Sequence, residues 1–195
     1  TTEIYTLSLH DALPIYRSTQ KSIGGGLSIY INDKWANSFK ILSTRSDPEL
    51  ETMVVKVRPF WLPRDITSII FIVIYCPIFS APSTQNAKDV VARLHDTIEE
   101  AELHNPDAAI IALGDFNSAS IKLRGYKQHV TSPTWNSKIL DKCLHHRNST
   151  IMIINYLQLE LVITAQSGSY LGTIDLDNPA SLSMSTREYG VVKIS

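Results

Sequence analysis

Asp115 and Asn117 stand two residues apart in Gly114-Asp115-Phe116-Asn117, at the end of the uncharged run Ala108 to Leu113. In an extended backbone that spacing points both side chains to one side. A carboxylate and an amide so placed can hold a hard cation and a phosphate oxygen. The six apolar residues closed by a glycine predict a buried central strand too short for a helix. In layered α/β folds, ligand chemistry gathers beyond the carboxyl ends of such strands. The same four residues also fit a plain turn, because all but Phe116 are turn formers. Tyr75 ends a second uncharged run, Ile69 to Tyr75, just before Cys76-Pro77. Taken alone, a strand-end tyrosine there is a packing residue.

The elements that must position these groups follow from hydrophobic period. Leu27, Ile29 and Ile31 alternate with Ser28 and Tyr30 after Gly24-Gly25-Gly26, which predicts a half-buried strand. The glycines lack the strand-before, helix-after context of a phosphate cradle. Asn32-Asp33 predicts a turn, Phe39 to Leu42 a weaker strand, and Met53 to Val57 a third. Pro59 and Pro63 bracket a loop carrying Phe60 and Trp61. Ile69 to Tyr75 predicts a strand covered on both faces. Ser83 to Asn105 predicts a helix, with Ala87, Val90, Val91, Leu94, Ile98 and Ala101 at three- and four-residue spacing and Ser83 or Thr84 as cap. His95, Asp96, Glu99 and Glu100 fall on its solvated side. Asn105-Pro106 ends it, and the strand at 108–113 completes a β-α-β unit. Short strands are predicted at Gln128 to Thr131 and Ile139 to Leu144. Ile151 to Ile154 and Leu157 to Thr164 are apolar enough for strands, and Gln166 to Ser195 has no clear period.

Composition bounds the function. The 195 residues suffice for one domain, with 44% hydrophobic and 19% charged residues, as in ordinary globular proteins. A formal net charge of −1 gives no global attraction to nucleic acid, so any such surface must be local. Ile121 to Arg147 holds Lys122, Arg124, Lys127, Lys138, Lys142 and Arg147 against Asp141 alone, a local charge of +5 that also fits a solvated face. Cys76 and Cys143 form no metal or redox spacing and read as small buried apolar residues of a reducing compartment. No apolar run approaches the roughly 18 residues of a membrane span, and no secretory progression opens the chain. The expected location is therefore intracellular, nuclear or cytoplasmic, without membrane attachment. Asn148-Ser149-Thr150 matches a glycosylation acceptor that such a location leaves unused.

Thr6 to Ile15 resembles the peptide produced when sequencing-adapter DNA is translated, so His10 and Asp11 carry no functional weight. The expected organisation is a non-native or disordered leader at 1–20, a domain at 21–146, and a diverged or frame-shifted tail at 147–195.

The order GGGLSIYIN, a strand ending Arg58-Pro59, a strand ending I-Y-C-P, an amphipathic helix, a strand ending G-D-F-N, and then P-T-W and I-L-D resembles one family. It is the endonuclease domain of non-LTR (LINE-type) retrotransposon proteins, in the endonuclease/exonuclease/phosphatase superfamily. The resemblance covers about Lys21 to Leu144 and implies an α/β fold, here a partial four-layer α/β sandwich. It implies Mg²⁺-dependent cleavage of a DNA phosphodiester, with a reverse-transcriptase domain downstream in an intact element. By residue, Asp115 matches the aspartate that binds the metal or orients the attacking water. Asn117 matches the asparagine that hydrogen-bonds the scissile phosphate, and Tyr75 the tyrosine that supports the phosphate or nucleophile. Asp141 matches the aspartate that helps orient the catalytic groups. Lys122, Arg124, Lys127 and Lys138 are the expected nucleic-acid contacts.

Departures from the pattern limit the expected activity. The family's metal-binding glutamate motif has no counterpart upstream of the glycines, where Glu3 is the sole glutamate. The terminal Ser-Asp-His motif is also missing: His145 and His146 come too early, and no histidine follows Asp175 or Asp177. Trp135 stands where arginine often follows Pro-Thr. Losing the proton-transfer group alone costs roughly 10²–10⁴-fold, so little or no activity is expected. Three functions stay open: a weakened endonuclease, a non-catalytic relic binding DNA at most weakly, and another phosphoesterase of the superfamily acting on phosphoinositides or lipid phosphodiesters.

Overall fold

The computed structural model describes residues 27, 29, 31, 36, 38–77, 84–117, 119, 121–134, 137–146, 170–172 and 184–186. The glycine triplet, the Asn32-Asp33 turn, Ser83, Trp135, Arg147, the 1–20 leader and the strands expected at 151–154 and 157–164 lie outside the described residues.

The chain lays down β1 (Ser38–Ser46), β2 (Glu51–Arg58), β3 (Ser68–Tyr75), α1 (Thr84–His104), β4 (Ala108–Asp115), β5 (Tyr126–Gln128), β6 (Asp141–His146), β7 (Tyr170–Gly172) and β8 (Met184–Thr186). The first six strands form one mixed sheet in the order β1-β2-β3-β4-β6-β5, and β7 and β8 pair separately. Only β3 and β4 run parallel within the six, which the long crossover through α1 permits. β6 inserts between β4 and β5, antiparallel to both.

Both faces of the central strands are covered. On one, Val90, Leu94, Ile98 and Ala101 of α1 pack with Ile70, Ile72, Ile74, Ile110, Ala112 and Phe116. On the other, Met53, Val55, Val57, Ile69, Phe71, Val73, Ile111 and Leu113 pack with Leu27, Ile29, Ile31 and Ala36. Double coverage explains why β3 is buried throughout and why β2 is buried at Val54 as well as at its alternating partners. Truncating one such side chain to alanine costs about 2–5 kcal/mol.

Several expectations shift in detail. The strand near 39–42 extends to nine residues, with an irregular register between Ile41 and Ser43. The helix matches its apolar stripe at Val90, Leu94, Ile98 and Ala101, but Ala87 is exposed. Asn105 closes the helix by donating from Nδ2 to the Ala101 carbonyl at 3.0 Å. β5 begins at Tyr126, two residues before the expected strand at Gln128 to Thr131, because Tyr126 pairs with His146 and its hydroxyl donates to Glu102 Oε1 at 2.8 Å. β6 likewise starts at Asp141 and runs on to His146. Leu27, Ile29 and Ile31 are all buried, but Leu27 makes an isolated bridge and Ile29 and Ile31 carry no strand, so the strand expected there is not formed among the described residues.

Candidate functional site

Gly114 determines how β3 and β4 end. Its φ is 144°, and a Cβ there would lie 1.8 Å from the Ile74 carbonyl oxygen. Only glycine tolerates that approach. It brings the strand ends together, where the Cys76 amide donates to the Asp115 carbonyl at 2.8 Å.

Register then builds a row. Tyr75 is the lateral neighbour of Asp115, and Asp115 of Asp141. Neighbouring strands are about 4.8 Å apart, and laterally paired residues share a face. That face is the one opposite α1, because Val73, Tyr75, Leu113 and Cys143 belong to its core. Three residues assigned from the sequence are thus adjacent on three strands. Tyr75 is also a core residue, 7% exposed, so packing and site placement coexist.

Asn117 folds back onto this row. Its φ of 45° is in the left-handed region, which asparagine tolerates. Its amide N–H donates to Asp115 Oδ1 at 2.9 Å, and its Nδ2 donates to the Cys76 carbonyl at 2.6 Å. The turn is secured by the Phe116 amide on the Leu140 carbonyl at 2.9 Å. Phe116 points the other way, fully buried under α1.

Electrostatics follow from burial. The Asp115 carboxyl is pushed up to about 6, first by burial and then by the charge of Asp141, against hydrogen bonds from Asn117. Burial also raises Asp141, opposed by the Thr134 side chain and a backbone hydrogen bond. Thr134 Oγ1 accepts the amides of Leu140 at 2.9 Å and Asp141 at 3.2 Å, fixing the start of β6. The Cys76 thiol rises to about 12 through burial and the Asp115 charge, so it stays protonated and is no nucleophile. Cys143 is likewise a buried free thiol.

Two adjacent carboxylates that hold protons too tightly are also a binding place for a hard cation, whose charge relieves their repulsion. Among the described residues, no group of three or more histidine, cysteine, aspartate or glutamate side chains is arranged for a metal. A hard cation held there would have to take most of its oxygens from water and a bound phosphate, since Asp115 and Asp141 are the two carboxylates of the row.

The four expected nucleic-acid contacts are all exposed but do not converge. Lys138 is three residues before Asp141, at the site end. Lys127 is opposite His145, four residues along β6 from Asp141, or about 13 Å. Arg124 precedes Tyr126, which faces His146 at the far end, and Lys122 lies on the connection between.

Register adds residues the sequence did not single out. Glu51, 3% exposed, is the lateral neighbour of Tyr75 on β2. A lone carboxylate opening an apolar strand was its signal. Lys142, counted among the surface charges, is half-buried against Phe116 instead. His145 is buried against His129, ring centroids 4.5 Å apart, and His146 meets Tyr126 edge-on. A cleft of about 300 Å³ walled by Asp65, Glu102, Asn105, Asp107 and His146 lies at the start of β4, seven residues or about 23 Å from Asp115, and takes no part in the row. No described helix is long and apolar enough to cross a membrane.

No protein-family model matches the chain, and no curated protein matches it.

Proposed function

We propose that this chain is the endonuclease portion of a LINE-type retrotransposon protein, a Mg²⁺-dependent phosphodiesterase of the endonuclease/exonuclease/phosphatase superfamily acting on DNA. A reverse-transcriptase domain would follow in the intact element. The observation that carries this is the row Tyr75, Asp115, Asp141 across three adjacent strands, with Asn117 hydrogen-bonded onto Asp115. Cores on both faces of the sheet are compatible with one half of a four-layer sandwich.

The row suits phosphoryl chemistry. Asp115, held by the Asn117 amide beside Asp141, can orient the water that attacks phosphorus. The Tyr75 phenol can donate to a phosphate oxygen as charge grows there. Asn117 holds the Asp115 carboxylate in one orientation, and Lys138 is the exposed cation nearest the row in sequence. Bound Mg²⁺ supplies charge neutralisation at the phosphate and the leaving oxygen.

A second reading, the inactive relic, is favoured by the two-carboxylate donor set among the described residues. Nicking of supercoiled plasmid separates the two. Weak Mg²⁺-dependent nicking that disappears with EDTA and in Asp115→Ala supports the endonuclease. Equal nicking by wild type and Asp115→Ala would overturn it. No nicking, together with no rise in melting temperature on adding Mg²⁺, leaves the relic.

A further inference from the structure

We infer that Lys142 is a positioning residue that fixes the Asp115–Asn117 turn from the helix-covered side of the sheet. The functional weight of this rests on the phosphodiesterase proposal. Lys142 is the register neighbour of Gly114, and its side chain takes the face opposite Asp141. Its Nζ donates to the Ala119 carbonyl at 2.5 Å and lies 5.0 Å from the centroid of the Phe116 ring. Phe116 is fully buried, and the Ala119 amide donates back to the Phe116 carbonyl at 2.8 Å.

The turn after β4 is therefore tied twice to residues 140–142, where β6 begins. The Leu140 carbonyl takes the Phe116 amide, and the Lys142 ammonium holds the Ala119 carbonyl. Between these ties sits Asn117, which orients Asp115. An ammonium is costly to bury without compensation. Among the described residues, no carboxylate lies within salt-bridge distance of Lys142. Its ammonium is held by a backbone carbonyl and stands over an aromatic face, so this half-buried side chain has fixed partners. Burial lowers its pKa in keeping with that placement.

The test compares wild type, Lys142→Met, which keeps the aliphatic stem, and Lys142→Arg, which keeps a charged donor. Amide hydrogen exchange by NMR at Asn117 and Ala119 is the primary readout, with Ile72 in β3 as the internal control. Lys142→Met should speed exchange at Ala119 by about tenfold or more, the size expected for one lost charge-assisted hydrogen bond. Lys142→Arg should restore most of the protection, and Ile72 should not change. Unchanged exchange in Lys142→Met would overturn the proposal. So would a loss of protection spreading to Ile72, because it would mark a general packing role. Plasmid nicking is read in parallel, where a lowered kcat at unchanged KM, rescued by arginine, is expected. If wild type does not nick at all, the endonuclease proposal fails while the exchange data still decide the role of Lys142.

Discussion

Asp115 and Asp141 face each other as cross-strand partners on β4 and β6, where sheets ordinarily set opposite charges or apolar pairs. Each is also largely removed from water, so the folded protein holds a proton at Asp115 up to about pH 6. The fold maintains this pair at a cost in stability, and the cost is measurable.

The pH dependence of stability should contain two opposing parts. Asp115 has a folded pKa of about 6 against an ordinary 3.8, so its contribution favours the fold at low pH and is lost as pH rises through about 6. His129 is lowered from 6.5 to about 4, first by burial and then by His145, so its contribution is present above 6.5 and lost as pH falls toward 4. His145 is shifted in the same direction as His129. Asp141 is raised too and acts in the same direction as Asp115, so between pH 4 and 6 the urea midpoint should rise more steeply with pH in Asp115→Asn than in wild type, and less steeply in His129→Gln. At pH 7 in EDTA, Asp115→Asn should exceed wild type by on the order of 2 kcal/mol. Matching slopes in the two variants would contradict the assignment.

Asn117→Ala should cost more than Asn117→Gly. Both lose the 2.6 Å bond to the Cys76 carbonyl, worth about 1 kcal/mol net and more if the carbonyl is left unpaired. Alanine additionally strains at a φ of 45°, which glycine adopts freely, adding about 1 kcal/mol. Thermal or urea denaturation of the two variants gives the difference directly, and an equal cost would remove the strain argument.

Gly114→Ala should be among the most damaging small substitutions in the sheet, costing roughly 4 kcal/mol or more by collision with the Ile74 carbonyl at an unfavourable φ. Failure to accumulate as a folded species, judged by circular dichroism, is the expected outcome. A near-wild-type melting temperature would show that β3 and β4 separate more easily than their register implies.

The sequence revealed the strands and the helix wherever apolar residues repeat cleanly, as at Ile69 to Tyr75 and from Val90 to Ala101. It also placed Asp115 and Asn117 together and, through the β-α-β unit, Tyr75 near them, but it brought Asn117 alongside by an extended backbone where the chain instead turns, with Asn117 at a φ of 45°. The Asp115–Asp141 pairing was legible only through family resemblance, because it depends on β6 inserting out of chain order. Lys142 was misjudged as a surface charge because composition cannot tell which part of a long side chain is buried. The short pair β7 and β8 falls where no period is visible, since three-residue strands carry too few alternations to register.

The strand order also bears on how the molecule is made. β5 is synthesised before β6, yet among the described residues its one neighbour in the sheet is β6. Until residues 141–146 leave the ribosome, β5 lacks its described partner, and β4 stands as an edge lined by Ile111 and Leu113. Such an edge invites pairing with another nascent chain. Asp141, which completes the Tyr75–Asp115–Asp141 row, is therefore carried on the strand that covers this edge, so the row and the protection of β4 arrive in the same few residues of translation.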